Sequence, residues 1–175
     1  KIVIGDNVDQ ISWYNVGNLG KLWKAVPDLM SLEIEAGSFT LGTIDAPNLR
    51  RATFKTGGLS KASGKSIASA SWPKIEWLDV FYGDDNYGGD CSVKEAQALL
   101  DRSDLKSLTH LGLKNSQFAD ALCKVLASGK IVKPARNAST SAVTPKPSSR
   151  RAERASTAAS ECAPAFPASS ARATG

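Results

Sequence analysis

The chain has 175 residues, 42% apolar and 22% charged, proportions that suit a folded domain and exclude a wholly disordered polymer. Its formal charge of +5 sits at one end: residues 1–132 hold 15 basic and 15 acidic side chains, residues 133–175 seven basic against two acidic. A neutral body argues against a nucleic-acid surface built into the fold, and no apolar run reaches the ~20 residues a membrane helix needs.

In chain order, Val8-Asp-Gln-Ile11-Ser-Trp13 is the first of five segments spaced as L-x-x-L-x-L. The others are Leu29-Met-Ser-Leu32-Glu-Ile34, Leu49-Arg-Arg-Ala52-Thr-Phe54, Ile75-Glu-Trp-Leu78-Asp-Val80 and Leu108-Thr-His-Leu111-Gly-Leu113. Alternation at the second and third apolar positions is what a half-buried strand requires. Helical spacing falls between them. Leu19, Leu22, Trp23 and Val26 share one face of a helix over 19–26, and a poorer helix, broken by Gly64, covers 62–71. Ser92 with Glu95 is a capping-box signature before Ala96, Leu99 and Leu100. Phe118, Ala121, Leu122, Val125 and Leu126 line a helix that Gly129 stops.

This alternation resembles the leucine-rich repeat family, in its ribonuclease-inhibitor-like branch, over residues 8–132. The set is similar to small bacterial cytoplasmic leucine-rich repeat proteins of unassigned function. The resemblance implies an α/β fold: a short leucine-rich repeat solenoid of about five irregular repeats, parallel strands on the concave face and helices on the convex face. Two features depart from the family. Its buried asparagine, three residues beyond the last strand apolar, is replaced by Gly37, Gly57, Gly83 and Ser116, and the repeats are unequal in length.

In such a solenoid the residues between the apolar strand positions line the concave face. They are Gln10, Ser12 and Tyr14; Ser31, Glu33 and Glu35; Arg51, Thr53 and Lys55; Trp77, Asp79, Phe81 and Tyr82; and His110, Gly112, Lys114 and Asn115. Trp77, Phe81 and Tyr82 form an exposed aromatic group of the kind enriched in binding hot spots, unless Phe81 and Tyr82 instead begin the next loop and pack against 83–89. The partner-binding candidates are Glu33, Glu35, Arg51, Lys55, Trp77, Asp79, Phe81, Tyr82, His110 and Lys114.

Other chemistry is thinly represented. The loop Gly83–Asp90 gathers three aspartates and an asparagine, but without EF-hand spacing, and reads as a solvated turn into a helix. Neither its glycines nor Gly57-Gly58 with Lys61 match a phosphate loop. A single histidine excludes multi-histidine metal centres. His110 reads as a surface residue, with Asp79 one rung away as a possible orienting carboxylate and no nucleophile beside it. Cys91, Cys123 and Cys162 read as reduced thiols, the first two filling space. No catalytic residue, metal or cofactor is expected.

Residues 133–175 are rich in Ala, Ser, Pro and Arg and read as a disordered tail. One origin is a frameshift: moved by one base, serine TCN becomes NTC, so Ser139-Thr140-Ser141 reads apolar–polar–apolar, 28 residues after Leu111 and Leu113. The other is a genuine basic arm for nucleic acid or acidic partners. Lys1 in place of Met suggests a start further upstream. The function expected is a cytoplasmic, non-catalytic scaffold binding a protein partner on the concave face, without a membrane, and with nucleic acid only if the basic arm is genuine.

Overall fold

A computed structural model describes residues 1–5 and 14–128, all within the unit Lys1–Pro145. The expected repeat at 8–13, the stop at Gly129 and the tail at 133–175 lie outside these residues. Strands β1 (Ile2–Ile4) and β2 (Asn15–Asn18) come first, then helix α1 (Leu22–Ala25) and strands β3 (Ser31–Glu35), β4 (Ser38–Thr40) and β5 (Arg51–Lys55). Helix α2 (Lys61–Ala68), strand β6 (Trp77–Gly83), helix α3 (Val93–Leu100), strand β7 (His110–Ser116) and helix α4 (Ala119–Ser128) follow.

Five strands pair in the order β1-β3-β5-β6-β7, every neighbour parallel, while β2 and β4 form a separate two-stranded parallel sheet. The strand beside β3 is therefore Ile2–Ile4, a segment without an L-x-x-L-x-L signature. Tyr14, expected on the sheet face, instead precedes β2, where its carbonyl accepts hydrogen bonds from the Gly37 and Ser38 amides.

Pairing in register lines up Ile2, Leu32, Ala52, Leu78 and Leu111 as one row, and Ile4, Ile34, Phe54, Val80 and Leu113 as the next. The interior members of both rows have essentially no solvent exposure, and Leu29, Leu49 and Ile75 join them in the core. The alternation read from the sequence thus points the expected side chains inward in the described repeats. Helix α2 packs on α3 and α3 on α4, and their buried Ile67, Ala96, Leu99, Leu100 and Leu122 complete the core cluster.

The helices follow their local chemistry. Ser60 caps α2 by accepting from the Ser63 amide. The capping box of α3 is complete, the Glu95 carboxylate accepting from the Ser92 amide at 3.0 Å and its hydroxyl at 2.7 Å. Gly64 does not break α2. A Cβ there would lie 2.6 Å from Cys91 Sγ, so the glycine is what lets α2 and α3 approach. Helix α1 is shorter than expected because the Leu19 amide donates to Thr40 and the Gly20 amide to the Asn18 side chain, leaving one turn before Pro27. Among the described residues no helix is long and apolar enough to cross a membrane.

Where the family pattern has an asparagine, neighbouring backbones bond directly. The Asp84 amide donates to Gly57 at 2.9 Å, the Gln117 amide to Gly83 at 3.3 Å, and the Thr56 hydroxyl to the Gly37 carbonyl at 2.8 Å. The approach is so close that a Cβ on Gly83, whose φ is +67°, would fall 1.7 Å from the Gly57 carbonyl oxygen. Gly17 has a φ of +78° but open space around it. Urea unfolding should therefore show Gly17→Ala costing about 1–2 kcal/mol of backbone strain. Gly83→Ala should cost about 3 kcal/mol or more, because strain and collision add.

Candidate functional site

The outward residues of the last three sheet strands fall opposite one another. Arg51 pairs with Trp77 and Trp77 with His110; Thr53 pairs with Asp79 and Asp79 with Gly112; Phe81 pairs with Lys114. Register alone brings residues far apart in sequence within side-chain reach.

Asp79 is the centre of the group. Trp77 Nε1 donates to its Oδ2 at 3.0 Å, and Lys114 Nζ lies 3.0 Å from Oδ1. His110 Nε2 is 3.1 Å from the same Oδ1; an ionised carboxylate only accepts, so Nε2 carries the proton. Burial opposes ionisation of Asp79. The hydrogen bonds from Trp77, Lys114 and His110, with the charge of Lys114, outweigh it and hold the carboxyl below its ordinary value.

The rings are fixed by the same contacts. The Trp77 indole stacks on the His110 imidazole with centroids 3.5 Å apart and planes 10° from parallel. The Arg51 guanidinium lies 5.8 Å from the Trp77 centroid, and the Lys114 ammonium 5.4 Å from that of Phe81. Trp77 remains 37% exposed, whereas Asp79 and His110 are 6% and 8% exposed beneath it. The expected surface histidine is thus a covered one, because the indole lies against it. The possible orienting carboxylate of the sequence reading is in contact with it.

Gly112 makes the arrangement possible. A Cβ at that position would lie 1.9 Å from Asp79 Oδ1. The sequence reading put Gly112 on this face without assigning it a role. The available signal was that Asp79 and Gly112 occupy the same place in successive repeats.

Other candidates separate from the cluster. Tyr82 is a correction: it is buried at 3% exposure, its ring edge-on to Phe118 at 5.1 Å, because consecutive strand residues face opposite sides. Phe81 stays on the outward face, half-buried. Lys55 pairs with Glu35 at 2.6 Å, and Glu33 lies 3.9 Å from Lys1 at the other side of the sheet. Asn115, at φ +47°, is exposed as the chain leaves β7.

The Gly83–Asp90 loop contains a 3₁₀ turn, Asp85–Tyr87, and two of its acids serve local structure. Asp84 accepts from the Asn86 amide at 3.0 Å, and Asp90 accepts from the Lys61 amide at the start of α2. Among the described residues no three His, Cys, Asp or Glu side chains are grouped to hold a metal ion. Cys91 is buried, its thiol pushed up to about 12 by burial and by Glu95, whereas Cys123 is exposed rather than space-filling.

No family model and no curated protein matches the chain. Among solved structures it is similar to a protein from Bacteroides fragilis, with a TM-score of 0.66 and 23% identity over 71% of this chain. The likeness is one of fold alone. The chain spans 36% of that protein's length.

Two outcomes follow from the geometry. Gly112→Ala should displace the Asp79 carboxylate, lower stability by about 2 kcal/mol or more, and red-shift tryptophan emission as the indole loses its hydrogen bond. Asp79 contributes stability fully above its unfolded pKa of about 3.9, a contribution lost as pH falls through its lower folded value. Glu95, against its burial, is also held low by Ser92, and Asp104 by Arg102, so the comparison is with Asp79→Asn. Urea unfolding across the acid range should give the variant a shallower descent than wild type below about pH 4.

Proposed function

We propose that the chain is a non-catalytic protein-interaction scaffold of the leucine-rich repeat type, cytoplasmic, binding a protein partner on the outward face of β5, β6 and β7. On this reading the five-stranded sheet lines the concave side of a short solenoid and the helices its convex side. The regular strand order, and the inward rows formed by the second and third apolar positions of each described repeat, support that assignment. The single observation that carries the binding reading is Trp77: a large exposed ring already immobilised by His110, Asp79 and Arg51. An aromatic side chain that is ordered before a partner arrives loses little entropy on binding, and tryptophan is enriched among residues that dominate interface energies.

The Asp79–His110 pair fits this role better than an acid–base one. Both groups are buried, Asp79 accepting the indole N–H and His110 stacking on the ring. Trp77→Ala and Phe81→Ala should each retain cooperative thermal unfolding. Trp77→Ala should weaken capture of partners from the source cell's extract by about 30-fold, the effect of truncating a hot-spot residue worth about 2 kcal/mol. Equal capture by wild type and Trp77→Ala, both folded, would refute this face as the interface.

A further inference from the structure

We infer that the partner presents an acidic segment, carboxylates beside an apolar side chain, to Arg51, Trp77 and Phe81. This rests on the interaction reading above and adds the chemistry of the partner. On the outward face of β5, β6 and β7 the charged groups are Arg51, Lys55 and Lys114, with Asp79 as the acid. Asp79 is 6% exposed and already accepts from three donors, so an incoming group meets the donors rather than the carboxylate. Lys55 is committed to Glu35 at 2.6 Å and Lys114 to Asp79 at 3.0 Å. Arg51 is not: among the described residues no carboxylate lies within ion-pair reach, and its guanidinium rests on the Trp77 ring. A guanidinium is a planar fork of donors that can grip a carboxylate through two parallel hydrogen bonds.

The aromatic groups supply the apolar half of the contact. Phe81 is half-buried with Lys114 near its ring, and Trp77 stays partly exposed beside Arg51. Glu33 and Glu35 on β3 bound the patch, each already beside a lysine, Lys1 and Lys55.

Cations beside aromatic rings also suit single-stranded nucleic acid, but the geometry disfavours it. His110 stacks on the indole from β7 and Arg51 approaches it from β5, so the ring faces are not open platforms for a base. Glu33 and Glu35 also interrupt any basic track along the sheet, which a phosphate backbone needs.

The test uses the full chain and a short fluorescein-labelled peptide of alternating Glu and Leu, followed by fluorescence anisotropy. A Lys–Leu peptide and an oligothymidylate serve as competing probes. The Glu–Leu peptide should bind, more weakly as salt rises, and Arg51→Glu should weaken it about tenfold. Lys94→Glu, at an exposed position of helix α3, should leave binding unchanged; Arg51→Gln gives the same test with a milder change. Absence of binding overturns the inference, as does equal weakening by Arg51→Glu and Lys94→Glu, or binding of either competing probe as tight as that of the Glu–Leu peptide. Capture lost in Trp77→Ala, with no Glu–Leu peptide binding by wild type, would overturn the acidic partner while leaving the interaction face standing.

Discussion

Everything at the candidate site depends on parallel strands pairing without a slip. A displacement of one residue along β6 would exchange its two faces, sending Asp79 toward Ile34, Phe54 and Leu113 and turning Leu78 and Val80 to solvent. The inward rows forbid this, since each is closed by Leu, Ile, Val, Phe or Ala from every strand. The apolar rows therefore do more than stabilise. They are the ruler that puts Arg51, Trp77 and His110 side by side, and Asp79 opposite Gly112.

Given that ruler, the outward face still has to accommodate a buried carboxylate, an unfavourable group to remove from water. Three donors and the missing side chain at Gly112 make it tolerable, and two of the donors, His110 and Lys114, come from the next strand. Asp79 consequently fastens β6 to β7 while it orients the indole. Under the proposed function, stability and binding share these atoms, so a change at Asp79 or Gly112 acts on both. Trp77, Phe81 and Arg51 lie at the outer end of the network, where truncation can separate the two effects.

Much of this was legible because period-two alternation and repeat spacing are local signals. Leu78-Asp-Val80 and Leu111-Gly-Leu113 put Asp79 and Gly112 in equivalent positions, and the proximity of Asp79 to His110 follows. The capping box at Ser92 was equally plain. What escaped was set by neighbours. Phe81 and Tyr82 are consecutive, and the alternation that exposes one must bury the other while the strand continues to Gly83. His110 is covered by an aromatic ring from the adjacent strand, which its own sequence context does not reveal. Ile2–Ile4 lacks the repeat signature and joins the sheet through pairing with Leu32–Ile34. Gly64 looks like a helix breaker until Cys91 is seen beside it.

The glycines at the strand ends complete the division of labour. A side-chain asparagine would hold adjacent turns apart by its own length. Direct bonding between Gly57, Gly83 and their neighbours instead brings backbone onto backbone, with Thr56 contributing a short side-chain bridge. The strand ends are thereby tied together outside the Trp77 cluster, leaving its outward residues free to satisfy one another. The most exposed cation among them, Arg51, lies beside a ring instead of a carboxylate. A face whose only internal acid is enclosed, and whose outermost charge is positive, has a polarity determined by register before any partner arrives.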